Sequence, residues 1–141
     1  MSQKFDVTLI DASRFGRCCT SAATALLEYQ LDDYAEDLLQ FMNKKDLVLA
    51  YKMGLDSIEM IDDFIREHGN LCHFRKCPSL MYTNNVFGIK PLEKEHEFRL
   101  KHGFPSVLYS DRNNPFPFKL KLGLYNENGG ANSTLIYSLS R

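Results

Sequence analysis

No charge of one sign prevails in this sequence. Seventeen Lys and Arg stand against eighteen Asp and Glu, a formal net charge of −1, so no global basic field draws in nucleic acid. No apolar run approaches the ~20 residues that a membrane-crossing helix needs. The opening Met-Ser-Gln-Lys-Phe-Asp lacks the apolar stretch and small-residue cleavage site of a secretory signal. Cysteines number four, two of them adjacent at Cys18 and Cys19, which is a poor basis for a disulfide framework. Reduced thiols in a cytoplasmic setting are the expectation. Neither Gly-x-Gly-x-x-Gly nor Gly-x-x-x-x-Gly-Lys-Ser/Thr occurs, which withholds support from a nucleotide-binding fold.

What is present is the composition of a folded domain. Hydrophobic residues make 44% of the 141, aromatics 12% and charged residues 25%. That is enough apolar material for one core, and the length suits a single domain over residues 1–141.

Periodicity divides the chain into a helical front and a strand-rich back. A short strand is expected over residues 5–10, followed by a helix over 20–29 carrying Ala22, Ala23 and Ala25. Leu31, Tyr34, Ala35, Leu38 and Met42 form one stripe of a second helix. Asp46 opens a short third helix that Gly54 ends. Asp56, with Glu59 three residues on, predicts the cap of a fourth helix running to His68, with Ile58, Ile61 and Ile65 inward, Met60 and Phe64 widening the stripe, and Gly69 as the stop.

Beyond Gly69 the pattern turns to strands. Leu80–Tyr82 and Val86–Phe87 flank Asn84-Asn85 as a turn. A charged helix over 92–102 pairs Glu97 with Lys101 and has few apolar residues, so it is expected on the surface. A strand is expected over 106–110. Residues 116–125 alternate strictly and predict a strand, Asn126–Asn132 a turn, and 134–139 the returning strand of a hairpin. The predicted fold class is α+β: about four helices after a short first strand, packed on a mainly antiparallel sheet from the C-terminal half.

Several clusters could carry chemistry. His68, Cys72, His73 and Cys77 are zinc-type donors, but four ligands within ten residues are cramped for a tetrahedral site, and core cysteines explain the same letters. His96 and His102 offer an imidazole base and acid for phosphodiester cleavage, although six residues apart on a helix they face different ways. Gly16, Arg17 and Thr20 sit near a predicted helix start, where an anion is welcome, yet Thr20 serves equally as a cap. Arg112, Phe116 and Tyr125 beside the 111–115 loop form a candidate binding surface, with Phe116 held between Pro115 and Pro117 as its anchor.

No catalytic set is complete. The expectation is therefore a small regulatory protein of inhibitor, adaptor or immunity type, of the kind viral and phage proteins provide. It acts by binding another protein, without a cofactor, a metal or catalysis of its own. A metal-independent nuclease using His96 and His102 is the alternative, and a zinc-stabilised nucleic-acid-binding module built on His68 to Cys77 the second.

Overall fold

A computed structural model describes residues 23–132 together with the isolated positions 6, 8, 10 and 12. Half of the strand expected over 5–10, residues 5, 7 and 9, falls outside the described residues, and positions 6, 8 and 10 are not in a strand. The Gly16–Thr20 segment and the returning strand over 134–139 fall outside them altogether.

The chain enters through a two-residue strand, β1 (Leu26–Leu27), where the composition had predicted a helix. Ala25 has a positive φ of 59°, which breaks any helical run at that point. A single turn, α1 (Ala35–Leu38), replaces the longer helix expected over 31–42. The 25-residue helix α2 (Lys44–His68) follows, then strand β2 (Arg75–Thr83). A 3-10 turn over Val86–Gly88 leads into helix α3 (Ile89–Lys101), and strands β3 (Val107–Ser110) and β4 (Leu122–Ala131) complete the described chain. The architecture is α+β with an antiparallel sheet and three α-helices among the described residues. Of the four helices expected before Gly69, two remain: the described part of the first holds β1 instead, and the third and fourth are one.

Their fusion follows from the stripe itself. Leu47, Tyr51 and Ile58 are nearly or wholly buried, Ile61 is half-buried and Ile65 is buried. Together with Gly54 these positions step by four and three along one helical face. Gly54 does not stop the helix; it lets the helix lie against the backbone of Tyr29, where an added Cβ would come 2.6 Å from the Tyr29 carbonyl oxygen. Met60 and Phe64 do not widen the stripe. Met60 is 70% exposed and Phe64 stacks on His68 with ring centroids 4.3 Å apart.

The cap of α2 is accordingly Asn43, whose Oδ1 accepts from the Asp46 N–H at 3.0 Å. Gly69, at φ 94°, does end the helix, and its N–H donates to the Ile65 carbonyl at 2.8 Å. Asn43→Ala should therefore cost about 1 kcal/mol. Asp56→Ala, mid-helix and exposed, should change stability by less than about 0.5 kcal/mol. Urea unfolding of the two variants checks this, and equal losses would reinstate a helix break near Asp56.

The sheet is built around β4. Strand β2 pairs antiparallel along its whole length, while β3 and β1 pair antiparallel with residues 122–125 and 130–131 respectively. Residues 126–131, read from sequence as a flexible turn, lie inside this central strand. Pro78 has no N–H to give, and the register shifts there, from Cys77 opposite Gly129 to Ser79 opposite Asn126. A bulge of this kind leaves backbone groups unpaired. Asn126, 1% exposed, meets that need: its Oδ1 accepts from the Asn128 N–H at 3.0 Å. The glycines close the packing, since a Cβ on Gly129 would lie 2.8 Å from the Cys77 carbonyl oxygen.

Residues 116–121 form a loop before β4. Two prolines remove donors, and Asn114 organises the turn by accepting from Phe116 N–H at 2.9 Å and donating to the Phe118 carbonyl at 2.6 Å. Val86 and Phe87, expected as a strand, form the exposed 3-10 turn instead.

Helix α3 covers one sheet face, with Leu92 against Leu122 and Leu124. Helix α2 packs beside it through Tyr51, Phe98 and Phe104. Asp62 ties α2 to β2, lying 3.5 Å from Lys76 Nζ as well as bonding Arg66.

Candidate functional site

Helix α3 was expected on the surface. Lys90, Glu93, Lys94, Glu97 and Lys101 are indeed exposed, but Glu95 and Arg99, spaced as an i,i+4 pair, are turned inward and only 2% and 1% exposed. Burying two charges is costly unless each is paired and hydrogen-bonded. Here Glu95 Oε1 accepts from Arg99 Nε at 2.8 Å and from Tyr51 Oη at 3.1 Å, and its Oε2 accepts from the Ala35 N–H at 2.7 Å. One carboxylate thus joins α1, α2 and α3.

The Arg99 guanidinium lies over the Tyr29 ring, 5.3 Å from its centroid, a cation–π contact in a dry setting. Tyr29 also stacks on Phe104 at 5.6 Å. Among the described residues, Tyr29 Oη and Arg99 Nη2 are buried without a hydrogen-bond partner. Burial, and then the Glu95 charge and hydrogen bond, push the Tyr51 hydroxyl far above its ordinary pKa. Burial raises Tyr29 as well, against the lowering effect of Arg99. Both phenols therefore stay protonated, and Tyr51 is a fixed donor to Glu95.

A cleft of about 330 Å³ opens beside α3, lined in part by Ser106, Val107, Tyr125 and Glu127. His96 Nδ1 lies 2.9 Å from the Ser106 Oγ at its edge. Burial and then Arg99 lower the His96 pKa, opposed by Glu97. The ring is accordingly mostly neutral at pH 7 and shares a hydrogen bond with the Ser106 hydroxyl. A second cleft, of about 360 Å³, lies between the Thr24–Asp32 segment and Met81.

The residues singled out from sequence are scattered among these features. His96 and His102 are not paired: His102 ends α3 with its ring tilted on Phe98 at 4.7 Å, and its pKa falls through burial, Lys44 and Lys101. His68, Cys72, His73 and Cys77 do not converge. His68 bonds the Phe64 carbonyl, Cys72 is buried with Ile65 and Phe74, and His73 turns the exposed chain at φ 52°. No group of three His, Cys, Asp or Glu suited to a metal occurs among the described residues.

Phe116 and Tyr125 do meet, at 6.3 Å, in an aromatic cluster with Tyr109 and Phe118 on the sheet face opposite α3. Its exposed members are Phe118 and Tyr82, 42% and 51% exposed, whose centroids are 5.2 Å apart. Arg112 is exposed in the adjoining loop. Sequence reasoning missed the Glu95–Arg99 pair. The i,i+4 spacing was visible there as at Glu97 and Lys101, but nothing in the letters said which pair faces inward.

The reading of the chain as a non-catalytic inhibitor, adaptor or immunity protein does not survive comparison with known families, and its nuclease and zinc-module alternatives go with it. That reading rested on the lack of a complete catalytic set, and such a lack says little where a cofactor carries the chemistry. No curated protein and no solved structure matches the chain. A family model does match, over residues 2–135, and its description is FAD dependent oxidoreductase: the chain belongs to that family.

Proposed function

We propose that this chain takes part in flavin-dependent oxidation and reduction. The observation that carries the reading is the family match, which spans residues 2–135 and so nearly the whole chain. In such enzymes the flavin supplies the electron transfer, while the protein supplies binding, orientation and the electrostatic setting. The described residues suit the orienting and electrostatic part of that work. The Glu95–Arg99 pair fixes three helices around a dry centre, and the cleft at Ser106 has a neutral imidazole behind it.

The described residues do not fit the dinucleotide itself. A dinucleotide is held on a glycine-rich turn between a parallel strand and a helix, whereas every strand pair described here is antiparallel.

The test is flavin content. The tagged chain is isolated from the cells that make it under mild conditions, and the isolate is denatured to release flavin for chromatography and fluorescence. About one FAD per chain is expected, by the tight retention that flavoproteins rely on. An isolate without flavin sinks the proposal.

A further inference from the structure

The mismatch between family and cradle reaches beyond the described residues, because it can be checked on every glycine. The phosphate-binding fingerprint needs two glycines two positions apart, one for the tight turn and one so that the backbone can approach the pyrophosphate. No two of the chain's eight glycines have that spacing. Gly16, outside the described residues, has no glycine within thirty positions.

The remaining glycines are already engaged in this chain's own fold. Gly69 and Gly103 follow helix ends at φ 94° and 82°. Gly54 faces the Tyr29 backbone, Gly88 the Thr83 side chain, Gly123 the side chains of Leu80 and Leu120, Gly129 the Cys77 carbonyl and Gly130 the Phe74 ring. At each of these five an added Cβ would meet protein atoms at 3.0 Å or less. None of these five has the open approach a pyrophosphate requires; Gly69 and Gly103 are open, but each stands alone just past a helix C-terminus, the negative end of the dipole, where a phosphate is unwelcome. The helix starts that could receive phosphates are no better placed. The start of α2 is capped by Asn43, with Asp46 in the first turn, so a carboxylate already occupies the positive end of its dipole. The start of α3, though free of acidic residues, has the Thr83 side chain against Gly88 and loses an N–H at Pro91.

We infer that these 141 residues do not grip FAD by themselves, and that the dinucleotide is held by a glycine-rich strand–helix unit outside them, against which this chain is placed. This rests on the reading of the chain as a participant in flavin chemistry, and it assigns that chemistry a second component. The component is either another polypeptide or a further part of a longer chain.

The experiment titrates FAD with the purified 141-residue chain, after its amide spectrum and cooperative melt have established that it is folded. Flavin fluorescence and polarisation are followed, and gel filtration checks for co-migration. No saturable change is expected, corresponding to a Kd weaker than about 0.1 mM. Saturable, stoichiometric quenching by the isolated chain overturns the inference while leaving the flavin reading intact. In the mildly isolated material, flavin is expected to travel with extra protein mass. A denaturing gel then shows either a second band or one longer product of this chain. Flavin retained there by the 141-residue chain alone also overturns the inference, whereas an isolate with no flavin removes the functional reading on which it rests.

Discussion

Glu95→Ala is expected to destabilise the protein by about 3–5 kcal/mol, the range for breaking one side of a buried ion pair. Glu95 and Arg99 are almost completely shielded from water. The variant leaves the guanidinium without its carboxylate and deprives both Tyr51 Oη and the Ala35 N–H of their acceptor. Each orphaned donor adds a desolvation cost that the native contact removed. For a chain of this length the melting temperature should fall by roughly 10 °C or more.

Urea unfolding at constant m-value gives the free energy, and a variant that replaces both charged partners identifies its origin. Replacing both partners, Glu95→Leu with Arg99→Met, should cost clearly less than Glu95→Ala alone, because no charge is then left buried. A double variant at least as unstable as Glu95→Ala would show that the loss comes from packing rather than from the uncompensated charge.

Gly54→Ala should destabilise by about 1–3 kcal/mol, the usual cost of overpacking. Helix propensity taken alone has the opposite sign: alanine in place of glycine inside a helix gains about 1 kcal/mol. The tertiary contact wins because the new Cβ would sit 2.6 Å from the Tyr29 carbonyl oxygen and 2.9 Å from its Cα. Those are backbone atoms, which cannot swing aside as a side chain can. Tyr29 in turn packs on Tyr51, Phe104 and Arg99, so a shift there disturbs the main core and the buried pair together. Thermal melts of Gly54→Ala against the parent decide the sign. A stabilised variant would show that helix α2 does not approach Tyr29 this closely.

Much of the helical content was legible in the sequence, with its joins misplaced. The stripe from Leu47 through Tyr51, Gly54, Ile58 and Ile61 to Ile65 has one unbroken period. Reading Gly54 as a stop and Asp56 as a cap cut it in two. Both residues are ordinary punctuation by composition, and only the approach of Tyr29 explains a glycine at that point. The charged helix over 92–102 was placed within a few residues, but its buried side was not. Glu95–Arg99 and Glu97–Lys101 have equal spacing, and the choice between them depends on where α1 and α2 lie.

The strands divide in the same way. Residues 106–110 read as a strand and 107–110 form one, because β-branched and aromatic letters suit a half-buried pleat. Residues 126–131 read as a turn and form part of the central strand. Gly129 and Gly130 sit where Cys77 and Phe74 press against β4, a requirement set by neighbouring strands rather than by local preference.

By itself, then, the sequence determined the class of fold, the main helix periods and the lack of a dinucleotide fingerprint, each of which is a property of nearby residues. The tertiary structure alone decided which charged face of α3 is buried, why Gly54 lies inside a helix and that the histidine and cysteine donors do not converge. Burial and close approach are set by segments far apart along the chain, and no local pattern records where those segments meet.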